Sequence, residues 1–178
     1  PLAASPAGRD PDTARHSAPA GDPRAGAMSL FPTRIETDRL VFERLAHDTC
    51  DPFALYDFFS REDWAEAAAD HMPWFQFDRL DQVAEFLDHA EQQWSDRETA
   101  RYLLRATDED GDIVGTTAFG PEWDTRRTGS GIVLAREYWG REYGLERACA
   151  FVELTFEQYD LDAFYTTCAT ENEPSRRM

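Results

Sequence analysis

Gly140 and Gly144 lie four residues apart in Tyr138-Trp139-Gly140-Arg141-Glu142-Tyr143-Gly144, between a short apolar run, Gly131-Ile132-Val133-Leu134, and an amphipathic helical stretch. A buried strand that turns through glycines into a helix leaves backbone N–H groups free at the positive end of the helix dipole. That arrangement suits a phosphate or pyrophosphate. Charge points the same way: residues 28–124 carry 8 Arg against 23 carboxylates, whereas residues 125–147 carry five Arg (126, 127, 136, 141 and 147) against Glu137, Glu142 and Glu146. A cationic island in an anionic chain, at a glycine-containing helix entrance, predicts an anionic ligand. The same residues also suit a plain strand–helix corner in which glycine allows close packing. Elsewhere no Ser/His/Asp or Cys/His arrangement offers a nucleophile. Four scattered histidines and three cysteines without a CxxC pair predict no metal site.

The elements that would position this turn are legible from pattern. Leu40–Leu45 reads as a first strand. Asp51-Pro52 gives a helix start, with an N-cap acid and Pro in the first turn. A second helix is expected over Glu62–Ala69. A third is capped by Asp78 and keeps Leu80, Val83, Leu87, Ala90 and Trp94 at helical spacing. Arg101–Arg105 and Ile113–Phe119 form a hairpin around an acidic turn, and Gly131–Leu134 follows as a short buried strand. The helix after the glycine turn is expected to place Leu145, Cys149, Val152, Phe156 and Tyr159 on its packed face, with Cys149 and Cys168 as small core residues. Ala163–Thr170 is a further strand, and Asn172-Glu173-Pro174-Ser175 opens another helix. The order predicts an α/β (α+β) fold, a mixed and mostly antiparallel sheet flanked by helices.

Residues 1–27 hold five Pro, eight Ala and three Gly with no aromatic, and are expected to form a disordered extension; the domain is expected over 28–178. The chain has 35 acidic and 18 basic residues, all of the latter Arg, for a net charge of −17. Such a polyanion is a poor ligand for nucleic acid or an anionic membrane face. No apolar run approaches the ~20 residues that cross a bilayer. Acidity with complete loss of Lys predicts a cytoplasmic, halophilic protein, because at about 1 M salt the screening length falls to roughly 3 Å and self-repulsion fades.

Three segments, in order, resemble the GNAT N-acetyltransferases, in particular the branch that acetylates ribosomal-protein N-termini. Thr37-Asp38-Arg39-Leu40 resembles the opening of that branch. Tyr138 through Arg147 resembles its acetyl-CoA pyrophosphate loop, and Asn172-Glu173-Pro174-Ser175 its Asn-x-x-Ser element. The resemblance implies a GNAT fold and acetyl-CoA as co-substrate. Pantetheine would run beside Ile132, Val133 and Leu134, and the pyrophosphate would sit on Trp139, Gly140, Arg141, Glu142, Tyr143 and Gly144. Asn172 would contact the cofactor arm, and Ser175 would protonate the departing thiolate. An amine acceptor, a protein N-terminus by analogy, would attack the thioester directly.

The chain departs from the family in three places. Gly129 stands where relatives often carry a Glu base, leaving Glu122 or Asp124 to act through water. Glu142 replaces a usual Gly, and its carboxylate near a pyrophosphate costs roughly 1–4 kcal/mol per charge pair at 4 Å. If that position needs a positive φ, Glu also strains the backbone. The sequence stops ahead of the last two strands of the family's sheet, so this chain is expected to be weak or inactive. The rival reading is a silent GNAT-like module that binds a CoA-type ligand or a protein partner. Trp64, Trp74 and Phe75 are candidate walls of the acceptor site.

Overall fold

The computed structural model describes residues 29–69, 72 and 75–176. The expectation for residues 1–27 and the position of Trp74 lie outside them. Six strands form one sheet in sequential order: β1 Arg34–Glu36, β2 Leu40–Arg44, β3 Ala100–Ala106, β4 Asp112–Glu122, β5 Arg127–Leu134 and β6 Ala163–Thr166. All neighbours are antiparallel except β5 and β6, which run parallel. That parallel pair needs a crossover, and α4, Tyr143–Glu153, supplies it. The expected mixed sheet is thus observed, with one more strand at the start than the sequence suggested. β1 is short and its exposed ends carry charge, so no apolar run announces it.

Helices cover both faces. Helices α1 (Pro52–Phe59), α2 (Glu62–Ala69) and α3 (Leu80–Ser95) lie on one, while α4 packs Phe151 against Phe42, Tyr102 and Phe119 on the other. Asp51 caps α1 as expected, its carboxylate accepting from the Phe53 N–H at 3.0 Å. For α3 the capping differs. Gln82 reaches back to accept from the N–H groups of both Arg79 and Asp78, so Asp78 donates its amide and does not cap with its side chain. Val83, Leu87, Ala90 and Trp94 are buried at the predicted spacing.

In α4 the packed face is not the one the apolar spacing indicated. Tyr143, Gly144, Arg147 and Phe151 are buried, while Leu145 is 46% and Val152 38% exposed, and Phe156, in the wider turn Leu154–Gln158 that follows, is 46% exposed. Cys149 and Cys168 are exposed as well; of the three thiols only Cys50 is buried. The physical reason is Arg147. Reading it as polar put it outside, yet it lies beneath the sheet with 2% exposure, donates to Ser130 Oγ at 2.5 Å, and rests on the Phe151 ring. Its Nε has no partner among the described residues, and burial lowers its pKa to about 10.

The β1–β2 turn is fastened to α4 by Glu146. Its carboxylate accepts from Thr37 Oγ1 at 2.5 Å, from the Arg39 amide at 2.7 Å and from Arg39 Nε at 2.9 Å. Burial works to raise its pKa, but these three donors outweigh it and hold the pKa below 4.5. A depressed carboxylate stabilises the fold above its unfolded pKa and loses that contribution as pH falls through the folded value. Glu146→Ala is therefore expected to cost roughly 2–3 kcal/mol between pH 5 and 8, with the deficit relative to wild type shrinking below pH 4. Urea melts of both proteins across that range check it.

Candidate acyl-donor site

β5 and β6 pair only over Arg127–Ser130, against Ala163–Thr166. Beyond Ser130 the chains part, so Gly131, Ile132, Val133 and Leu134 keep β4 on one side and have no strand on the other among the described residues. The unpaired edge of a parallel pair exposes main-chain donors and acceptors to a ligand able to extend the sheet. One group on it is already taken: the Trp139 indole N–H donates to the Leu134 carbonyl at 2.9 Å. Main-chain groups alternate in direction along a strand, and Ala135 bonds back to Val114 on β4, so Val133 faces β4 and the expected track rests on Ile132 more than on Leu134.

β5 leads through Arg136–Tyr138 into the glycine turn. Gly140 has φ +74° and Glu142 has φ +65°. Glu142 flanks the first turn of α4 with a left-handed backbone that ordinary side chains resist by roughly 1–2 kcal/mol. Among the described residues, the N–H groups of Gly140 through Leu145 donate to no protein acceptor; the first amide of this helix with one is Glu146, bonded to the Glu142 carbonyl at 3.0 Å. Six successive unclaimed donors with alternating left-handed geometry make an anion cradle. The Glu142 side chain is exposed. Tyr143 contributes only its amide, because its ring is buried and its hydroxyl donates to Asp108 at 2.6 Å.

The cationic island does not survive folding as a patch. Arg126 pairs with Asp160 and Asp162, Arg127 with Glu122, Arg136 with Glu66, and Arg141 with Glu109. Arg147 is under the sheet. A count along the chain omits partners that tertiary structure brings from elsewhere, so attraction at the turn rests on main-chain dipoles. Arg39 supports the turn from behind, donating to the Arg141 carbonyl at 3.0 Å.

A GNAT acetyltransferase domain model matches residues 39–178. The chain belongs to the GNAT acetyltransferase family. Solved GNAT structures share its fold at low identity. A GNAT-family acetyltransferase from Bacillus anthracis superposes with a TM-score of 0.63 at 20% identity, covering 81% of this chain and 78% of that one. The microcin C7 self-immunity acetyltransferase MccE, in complex with acetyl-CoA and AMP, gives 0.69 at 14%, covering 84% and 81%. RimL, a ribosomal L7/L12 alpha-N-protein acetyltransferase in complex with coenzyme A, gives 0.64 at 14%, covering 82% and 78%. No curated protein matches the chain in sequence.

Within this GNAT domain the other predicted residues fall in two places. Asn172 and Ser175 sit at the start of the short α5, Glu173–Arg176, where Asn172 Oδ1 accepts from the Ser175 N–H at 3.1 Å. Asn172 thus acts as a helix cap while its side-chain N–H groups stay available. Glu122 is at the opposite end of β5's partner strand: it pairs with Arg127, and the cradle follows Leu134, seven residues or about 23 Å along the strand. Its carboxylate accepts from Tyr165, from Arg127 at 2.6 Å and from Thr125 at 3.0 Å, and these hydrogen bonds lower its pKa to about 2. A carboxylate held by three donors and so weakly basic is not suited to take a proton from an amine, and the expectation for Glu122 is corrected. The Tyr165 hydroxyl also explains Gly129, where a Cβ would approach it to 2.8 Å. Trp64 is fully buried, with its indole N–H on the Phe75 carbonyl, so it is core and not a wall; Phe75 does line a cavity. No group of three or more His, Cys, Asp or Glu able to hold a metal occurs among the described residues, and none of their helices is long and apolar enough to cross a membrane.

Sequence reading missed two ties that brace the turn's approach: Arg61 to Glu137, and Arg136 to Glu66 at 2.9 Å. Their carboxylates and guanidinium groups are far apart in the chain, and no local pattern signals them. Because Glu142 bears left-handed strain, Glu142→Gly is expected to hold or raise stability, by up to about 1 kcal/mol, whereas Glu142→Val lowers it. Thermal melts of the two variants beside wild type test the sign.

Proposed function

We propose that this GNAT domain binds acetyl-CoA along the open edge of β5 and transfers the acetyl group to a primary amine, with a protein or peptide N-terminus as the acceptor. The run of six unclaimed amides from Gly140 to Leu145, directly after an unpaired strand edge, carries the reading. Family membership and fold neighbours named for bound acetyl-CoA and CoA support it.

When bound, acetyl-CoA supplies an activated thioester. The acceptor nitrogen attacks its carbonyl carbon, a C–N bond forms as the C–S bond breaks, and the ammonium proton leaves to solvent while the thiolate takes up another. This chain's residues orient the partners. The amides of Gly140–Leu145 hold the diphosphate, the edge at Ile132 aligns the pantetheine arm, and Asn172 steadies it. Ser175 is half-buried with no hydrogen bond from its hydroxyl among the described residues, so it is free to protonate the sulfur. Among the described residues the cavity beside β5 is lined by no carboxylate or imidazole, and the reading takes the amine as arriving neutral.

Two outcomes follow. In molar KCl, acetyl-CoA should raise the melting temperature by several degrees, and Glu142→Gly should tighten its binding several-fold by removing a like charge; no shift at millimolar ligand defeats the reading. Thiol release should climb with pH until the acceptor's amine is neutral, near pH 8 for an α-amine, with no inflection from Glu122. Binding without thiol release from any peptide or small amine would instead favour the silent module.

We also read the acidity as adaptation to molar salt, supported by the net charge of −17 and the absence of Lys. The melting temperature is expected to rise by more than about 5 °C between 0.1 and 2 M KCl.

A further inference from the structure

On the face of the sheet under α1–α3, a cavity of about 130 Å³ abuts β5, with Phe75 and Phe86 on one side and Thr116, Ala118, Gly131 and Val133 on the other. Arg101 is its charged member. It sits on β3 opposite Ala118, which in turn pairs with Gly131, so its side chain shares a face with the strand that carries the open edge. Its Nε donates to Gln93 Oε1 at 2.9 Å, and its guanidinium carbon lies 5.8 Å from the centre of the Phe86 ring.

Nine of the arginines in the described residues make an ion pair with a carboxylate, in a chain with 35 acids to choose from. Arg101 makes none among the described residues. Arg101 is half-buried, and burial without a counter-charge pulls its pKa down. A partly buried cation facing apolar walls gains from an anion that joins it. A planar fork with its two terminal nitrogens uncommitted matches a carboxylate, two oxygens to two N–H groups.

We infer that Arg101 selects the acceptor: the amine this site acetylates carries a carboxylate, which enters the cavity and pairs with the Arg101 guanidinium. The inference rests on the reading of the β5 edge as the acyl-donor track. A volume near 130 Å³ takes a carboxylate on a short aliphatic arm, such as that of an amino acid or of an acidic side chain next to a peptide's N-terminus. A polyamine or a drug amine brings a second positive charge toward Arg101 and is repelled, so those acceptors are disfavoured.

Two measurements on the full chain separate this claim from the enzyme reading. The first is an NMR titration of the nitrogen-15-labelled protein with propionate and with its neutral isostere propionamide, at matched ionic strength. Propionate should perturb the amides of Thr116–Ala118 and Gly131–Val133 at concentrations at least tenfold below propionamide. Arg101→Met should remove that preference, and Arg101→Lys should keep part of it; the spectra themselves report whether each variant is folded. Equal affinity for the two probes, or a preference that persists in Arg101→Met, overturns the inference whether or not the chain turns over acetyl-CoA. The second compares acceptors by thiol release. Carboxylate-bearing amines should lead, and Arg101→Met should raise their KM at least tenfold while leaving kcat within a few-fold. A lead for spermidine or for amidated amines in the wild type sinks the inference and leaves the acetyltransferase reading intact.

Discussion

One carboxylate organises the donor end of this molecule. Glu146 sits in the first turn of α4, where its charge suits the helix dipole, and it binds both side chain and main chain of the Thr37–Arg39 turn. Arg39 then reaches forward to the Arg141 carbonyl. A loop can leave six amides without partners only if something other than its own N–H groups keeps it in place. Here its carbonyl side and the following helix are anchored to the β1–β2 turn. Segments 109 residues apart in the sequence are thereby brought to one corner of the sheet. The first segment that resembles GNAT proteins turns out to be a clamp on the second.

The strained residue beside that clamp makes the same point in a different currency. Glu142 keeps a positive φ that glycine would adopt freely, and its side chain turns to solvent. The backbone path is dictated by the neighbours on either side, Gly140 with φ +74° and the buried Tyr143 and Gly144. The substitution alters local cost and charge while leaving the route of the chain unchanged.

Much of the fold was legible because its signals are local. Asp51-Pro52 announces α1, alternation announces the β3–β4 hairpin, and helical spacing announces α3. The donor turn was legible for the same reason, since two glycines between a strand and a helix report their own geometry. What sequence misplaced depends on distant partners. Arg147 entered the core and turned the apolar stripe of Leu145, Cys149, Val152 and Phe156 outward. The arginines after residue 125 met carboxylates from other elements and ceased to be a patch. Glu122 looked like a free turn acid until Tyr165, Arg127 and Thr125 closed on it. Arg101 gave no signal at all: a single Arg in a strand reads as a solvent-facing residue, and only the fold sets it beside an apolar cavity with no carboxylate partner among the described residues.

The ion pairs from α2 and its approach, Arg61 with Glu137 and Glu66 with Arg136, reach the short helical turn from which the glycine segment departs. Helix α2 and the approach to the glycine turn are thus joined by two electrostatic struts. A displacement of α2 to admit a bulkier guest would drag on residues 136–138 and so tilt the amides that follow. On the proposed reading, breadth of acceptor choice and grip on the diphosphate are then mechanically opposed.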